Sequence, residues 1–322
     1  MYIKCRSGLF TNRYCRITLF SGVKGTGAML FPALLTILIL AGLAGLYFWA
    51  IHPNASRRRQ CQEYAAWRFA HRGLWNRKEG IPENSLPAYR EAVRNHYAIE
   101  LDVHLTRDGK LAVFHDDTLS RMCGVPGSVE SYSWEELQKM RLDGTDQRIP
   151  LLEDVLKLVN GSVPLLIELK VPNRSLALCP VAARALDRYS GPYIIESFQP
   201  FALRWFRKNR PDVLIGQLAS RYGKALKINS LFKLLSSSLI VHVVSRPDFV
   251  AYNFRTADGL GIDLNQHLFR IPVFAWTVRS EKEYEVCREK QFSTVIFEGF
   301  HPEVKEIPAL PERISDRIVF LQ

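Results

Sequence analysis

The chain has 322 residues, 47% hydrophobic, 23% charged and 11% aromatic, which excludes a disordered or collagen-like polymer. Of the formal charge of +11, the residues before Gln60 carry +8 through Lys4, Arg6, Arg13, Arg16, Lys24 and Arg57 to Arg59, so the rest carries only +3 and a basic nucleic-acid-binding body is excluded. The six cysteines (Cys5, Cys15, Cys61, Cys123, Cys179, Cys287) show no CxxC or His/Cys spacing, which excludes a zinc ribbon and a disulfide-dense scaffold and agrees with a reducing compartment.

Residues 1–27 read as a basic N-terminal tail. Ala28 to Ile51 is a charge-free apolar run, long enough as a helix to cross a hydrocarbon core of about 30 Å. Tyr47 and Trp49 stand at its C-terminal end, where interfacial aromatics belong. A cleaved signal peptide is the alternative, but the run is long for a signal core and no A-x-A site follows it. A single transmembrane helix is therefore expected. Positive charges flank it on both sides, so the positive-inside rule gives opposing votes. Initiation at Met29 would remove the N-terminal charges and leave the Arg57–Arg59 block to hold the following domain in the cytoplasm.

Residues 52–65 read as a polar, Arg-rich linker. From Trp67 onward, β-rich runs at 67–71, 98–103, 110–115, 164–169, 193–198, 213–218, 248–254, 273–278 and 294–298 alternate with helical stretches at 85–95, 134–140, 152–159, 180–189, 201–209 and 281–290. That alternation over residues 66–322 predicts an α/β fold, a (β/α)₈ barrel preceded by the transmembrane helix. Nine runs exceed eight by one. Only Thr106-Arg107-Asp108-Gly109 joins the second to the third, too short for a parallel crossover, so an antiparallel hairpin with an Asp-Gly turn is expected. A simple register then sets Asp102 roughly opposite His115.

Polar groups interrupt these apolar runs near their C-terminal ends: His71 and Arg72, Glu100 and Asp102, His115 and Asp116, Glu168 and Lys170. In a parallel barrel those ends share one rim. Glu100 and Asp102 are two apart and face the same way. With Glu168, three carboxylates converge, and convergence without mutual repulsion calls for a hard cation, Mg²⁺ or Ca²⁺. His71 and His115 lack metal-site spacing but suit a general acid and base across a phosphodiester. Arg72 and Lys170 suit the phosphate oxygens.

The stretches FAHRG (69–73), PENS (82–85), IELDVHLTRDGKLAVFHDDTLSR (99–121), RIPLLEDVL (148–156), LLIELK (165–170), ESF (196–198) and FAWTV (274–278) resemble the glycerophosphodiester phosphodiesterase family. The likeness covers nearly everything from residue 68 to about 300. It implies a TIM barrel with a small insertion at 116–163. It also implies metal ligands at Glu100, Asp102 and Glu168, an acid–base pair at His71 and His115, phosphate contacts at Arg72 and Lys170, and Trp276 against the glycerol moiety. Glu83 and Asn84 match a motif pair, although Asn84 or Ser85 is equally a helix N-cap. Two departures stand out. Phe297-Glu298-Gly299 replaces an aspartate before a proline at the last strand, and Arg121-Met122-Cys123-Gly124 replaces a Thr-Thr-Asn-Gly pattern. Both bear on the leaving-group pocket. Lys224 to Val244 reads as an amphipathic barrel helix followed by an apolar segment, or else as a lip that touches the bilayer.

The expected function is metal-dependent hydrolysis of a glycerophosphodiester to glycerol 3-phosphate and an alcohol, with water or the substrate's own glycerol 2-hydroxyl as nucleophile. The alternatives are a lysophospholipase D acting on membrane lysophospholipids, and a membrane-tethered binding module that has lost catalysis. Loss of a histidine or a carboxylate would mark the last, and all are present.

Overall fold

The computed structural model describes residues 26–172, 175–221 and 230–312. It divides into two units, Met1–Leu46 and Tyr47–Gln322. The first unit holds most of one helix, Thr26–Ile51, whose stretch Phe31–Ile51 has mean hydropathy 2.3 and is long and apolar enough to cross a membrane. Pro32 lies inside this helix, one turn beyond the residues whose N–H groups are unpaired, so it removes one i→i−4 hydrogen bond, and Thr36 Oγ1 donates to the Pro32 carbonyl at 2.8 Å. The predicted basic tail lies outside the described residues, apart from its last two.

Among its described residues the second unit contains nine strands: β1 (Phe69–Ala70), β2 (Ala98–Leu105), β3 (Leu111–Val113), β4 (Leu165–Leu169), β5 (Tyr193–Ser197), β6 (Ile215–Ala219), β7 (Phe249–Asn253), β8 (Val273–Val278) and β9 (Thr294–Phe297). Their order is β1-β9-β8-β7-β6-β5-β4-β2-β3, and an additional β1–β2 pairing closes the ring. Eight of them form a parallel barrel, and β3 alone is antiparallel. The strand interiors are almost wholly buried because helices cover the outside, so their sequences are continuous apolar runs. Phe249 stacks on Phe274, with ring centroids 4.7 Å apart. Gly216, opposite Phe249 in the β6–β7 register, leaves room for that ring: a Cβ there would lie 2.1 Å from it. Gly216→Ala is expected to destabilise the barrel by about 1–3 kcal/mol through overpacking. Chemical denaturation of the detergent-solubilised chain measures this, and an unchanged midpoint contradicts it.

Two sequence expectations need correction. Residues 52–65 are not a linker. They carry a 3₁₀ turn (Ala55–Arg57) and a helix (Arg58–Ala65) whose Cys61 and Tyr64 are buried in the main core. Arg57 is drawn inward as well, donating to the carbonyls of Pro211, Asp212 and Val213. The hairpin register is also shifted by one. Val103 pairs with Val113, and Phe114 N donates to the Asp102 carbonyl, so Asp102 lies opposite Phe114 and not His115. The cause is a three-residue loop in place of a two-residue turn. Thr106 N donates to the Lys110 carbonyl, and Gly109 takes φ +80° inside the loop. In the Lys224–Val244 stretch, residues 224–229 lie outside the described residues. The helix Ser230–Ser237 exposes Leu231 and Leu234, while Leu239 and His242 are buried.

Candidate active site

The C-terminal ends of β1, β2, β4 and β8 bring the singled-out residues to one rim. Glu100 and Asp102 on β2 and Glu168 on β4 are buried, and each offers one oxygen within 4.8 Å of the others. The parallel register sets Asp102 beside Glu168. Burial pushes the carboxyls of Glu100 and Glu168 up, and repulsion from Asp102 adds to it. Burial acts on Asp102 in the same direction, but Lys170, His115, Arg72 and an Asn84 hydrogen bond outweigh it and hold this carboxyl well below its usual range. Three buried carboxylates fit a hard divalent cation by their chemistry. Asp102 Oδ1 fits it by its state: Lys170 Nζ lies 3.0 Å away, yet the oxygen has no aligned hydrogen bond. Lys170 Nζ also lies 2.8 Å from Glu168 Oε1.

The turn after β1 is built around two left-handed residues, Arg72 (φ +59°) and Gly73 (φ +80°). A Cβ at Gly73 would lie 2.9 Å from the Ala88 backbone, so the turn packs closely on the following helix, Leu86–Arg94. This turn directs the Arg72 N–H to Glu100 Oε2 at 2.8 Å and its guanidinium to Glu83 Oε1 at 2.8 Å. Ser85 is the N-cap of the helix, its Oγ accepting from Ala88 N. Asn84 therefore has another task. Its Nδ2 donates to Asp102 Oδ2 at 2.8 Å, while its Oδ1 accepts from the Tyr89 hydroxyl at 2.7 Å. The Tyr89 phenol thus fixes which way the amide faces Asp102.

His71 Nδ1 lies 2.5 Å from Glu298 Oε2, and its Nε2 lies 4.0 Å from Glu100 Oε2. Burial, joined by the Arg72 charge, lowers the His71 pKa to about 4 against the pull of Glu298, so the imidazole is neutral near pH 7. Glu298 is itself held by Arg279 Nε at 2.7 Å. Burial pushes the Glu298 carboxyl up, but the His71 bond and the Arg279 charge bring it down to about 2.

His115 follows β3, which descends from the top of the hairpin and brings this residue back towards Asp102. Its Nδ1 lies 2.6 Å from Asp116 Oδ1. Arg121 grips Asp116 with two nitrogens, at 2.6 and 2.9 Å, and reaches both oxygens of Glu83 at 3.0 and 2.6 Å. One guanidinium therefore ties the carboxylate behind His115 to the carboxylate behind Arg72. Trp276 on β8 is half-buried, with the Phe198 ring edge-on at 5.8 Å.

Three further groups at this rim carry roles that the sequence does not spell out. Glu298 was legible only as a departure at the last strand. Glu196 on β5 pairs in register with Glu168 and is 1% exposed, with Oε2 unpartnered, and burial with repulsion from Glu168 and Asp102 raises its pKa. Its signal was a carboxylate in the apolar run YIIESF. The Arg121 bridge had no sequence signal, because its partners lie at positions 83 and 116.

A family model described as the glycerophosphoryl diester phosphodiesterase family matches residues 71–298. YhdW of Bacillus subtilis, named for that activity, is 31% identical over 223 residues, which is 66% of this chain and 86% of its own length. The glycerophosphodiester phosphodiesterase of Bacillus altitudinis is 32% identical over 162 residues, 47% of this chain and 65% of its own. A lysophospholipase D of Homo sapiens is 30% identical over 138 residues, 39% of this chain and 43% of its own. Among solved structures, a phosphodiesterase of Oleispira antarctica in complex with the product sn-glycerol-3-phosphate superposes with a TM-score of 0.60 at 20% identity, covering 80% of this chain and 99% of that one.

Proposed function

Because the chain belongs to the glycerophosphoryl diester phosphodiesterase family and is a phosphoric diester hydrolase, we propose that it cleaves glycerophosphodiesters to glycerol 3-phosphate and an alcohol by histidine acid–base catalysis at a divalent-metal site. The observation that carries this reading is the pairing of two imidazoles, each backed by a carboxylate at Nδ1, with the buried trio Glu100, Asp102 and Glu168. Those three carboxylates would hold Mg²⁺ or Ca²⁺, which when bound neutralises charge on the phosphate and makes an oxygen nucleophile more acidic.

The chain's own groups do the rest. With Nδ1 engaged, each histidine keeps Nε2 for proton transfer. One removes the proton of the attacking water or glycerol hydroxyl, and the other protonates the departing alcohol as its bond to phosphorus breaks. Arg72 and Lys170 present charge to the phosphate oxygens, and Trp276 with Phe198 forms an apolar wall for the glycerol moiety. The helix Phe31–Ile51 anchors the catalytic domain as a single membrane span, and initiation at Met29, which leaves the Arg57–Arg59 block as the sole charged flank, would set that domain on the cytoplasmic side.

The test is product identity. Glycerophosphocholine incubated with the purified chain and Mg²⁺ or Ca²⁺ is expected to release glycerol 3-phosphate and choline, followed by coupled oxidation of the glycerol 3-phosphate. Release of phosphocholine in its place overturns the reading. The apolar helix favours a second substrate class, lysophospholipids that arrive from the bilayer plane. A turnover ratio above one for a lysophospholipid over glycerophosphocholine selects that class.

A further inference from the structure

The helix Thr26–Ile51 ends in a turn that belongs to the catalytic unit and is clamped there. His242 Nδ1 lies 3.0 Å from the Ile51 carbonyl. The Arg246 guanidinium sits 4.9 Å from the Trp49 ring centroid and donates to the carbonyls of Trp49 and His52, each at 2.7 Å. Phe269 packs its ring against both Phe48 and His52, at 5.0 and 4.7 Å. The residue after Phe269 is Arg270, held in the left-handed region at φ +54°.

These contacts create a feature that the sequence block Arg57–Arg59 does not show. Arg57 is spent on backbone carbonyls of the barrel. Arg270, far away in sequence, takes its place beside Arg58 and Arg59. Together with Ala55, Ser56 and Gln62 the three arginines line an open cavity of about 550 Å³ with no carboxylate in its wall. None of the three has an ion-pair partner among the described residues. Three guanidinium forks and the Gln62 amide form a donor-rich lining suited to the phosphate of an anion, while the Ser56 hydroxyl is spent on Asn54 Oδ1 at 2.7 Å. The chain from Ile51 to Arg58 reaches at most about 25 Å even when fully extended. A helix that spans the bilayer therefore keeps this cavity near the headgroups, where phosphate is abundant and basic segments are drawn to anionic lipid.

We propose that Arg58, Arg59 and Arg270 bind the phosphate of an anionic phospholipid headgroup, at a site separate from the catalytic rim. The inference rests on the membrane-span reading. The full chain in detergent is titrated with phosphatidylglycerol, phosphatidylcholine or inorganic phosphate, and bound ligand is read by native mass spectrometry. Wild type is expected to prefer phosphatidylglycerol. R270Q should weaken that binding about five-fold, R270K should largely restore it, and the triple variant R58Q/R59Q/R270Q should abolish the preference. R184Q, which removes a charge from a different basic groove lined by Lys157 and Arg188, should leave it unchanged. An unaltered preference in R270Q, or an equal loss in R184Q, overturns the site. Displacement of phosphatidylglycerol by equimolar inorganic phosphate assigns the cavity to free phosphate and overturns the lipid. A parallel arm separates the two readings. Extraction of wild type from phosphatidylcholine vesicles by alkali overturns the span and the site with it. Resistance to extraction without a phosphatidylglycerol preference overturns the site alone.

Discussion

Alanine in place of His71 or His115 is expected to lower kcat by about 10²- to 10⁴-fold, while affinity for Mg²⁺ and Ca²⁺, measured by calorimetric titration, stays unchanged. The geometry separates the two properties. His71 Nε2 is 4.0 Å from the nearest carboxylate oxygen of the trio, and His115 is bonded to Asp116, outside the trio. Neither imidazole is needed to gather the three acids. Glu100→Ala differs because it removes one of the three proposed metal donors and also the acceptor of the Arg72 N–H. Turnover and metal affinity should fall together, and the Arg72 turn should loosen. EDTA should silence the wild type, with activity restored by excess Mg²⁺ or Ca²⁺. Full activity in EDTA, or a metal affinity that drops in His115→Ala as far as in Glu100→Ala, would contradict the division of labour between imidazoles and carboxylates.

Much of this arrangement is legible in the sequence, for physical reasons that also explain where legibility ends. A buried parallel strand is an apolar run, and a charge inside such a run is costly unless it has work to do, so Glu100, Asp102 and Glu168 mark themselves. The helix Arg58–Ala65 hides because its composition is that of a solvated segment. Only Cys61 and Tyr64, three apart on one face, turn inward. The hairpin register hides because one residue more in the loop shifts every cross-strand pair, and Asp108-Gly109 suits loops of either length. Asn84 is ambiguous by chemistry, since its side chain suits a cap as well as a carboxylate; Ser85 takes the cap, and the Tyr89 hydroxyl orients the Asn84 amide towards Asp102. The Arg121 bridge depends on where a compact helical segment, Ser120–Cys123, falls relative to the first turn of the barrel. Local sequence does not encode that distance.

Replacement of Glu298 by glutamine tests the residue that departs from the family pattern. Glu298 holds His71 by Nδ1 and is itself braced by Arg279, so it fixes both the ring's orientation and the nitrogen that carries the proton. A glutamine keeps the length but can turn its NH₂ towards the ring and favour the wrong tautomer, so kcat is expected to fall by about 10²- to 10⁴-fold with little change in KM. The pH profile gives a second signature. Burial and Arg72 lower the His71 pKa to about 4, and Glu298 opposes them by stabilising the imidazolium. A base is active when unprotonated, so in the assignment that makes His71 the base, activity is lost as pH falls through that value. Without the Glu298 charge the imidazolium is harder to form, and the acid limb should move to lower pH, not higher. Glu298→Asp keeps the charge and should recover part of kcat, limited by the methylene it lacks. A limb that moves upward in Glu298→Gln, or an unchanged kcat, would show that the carboxylate does not govern the proton on His71.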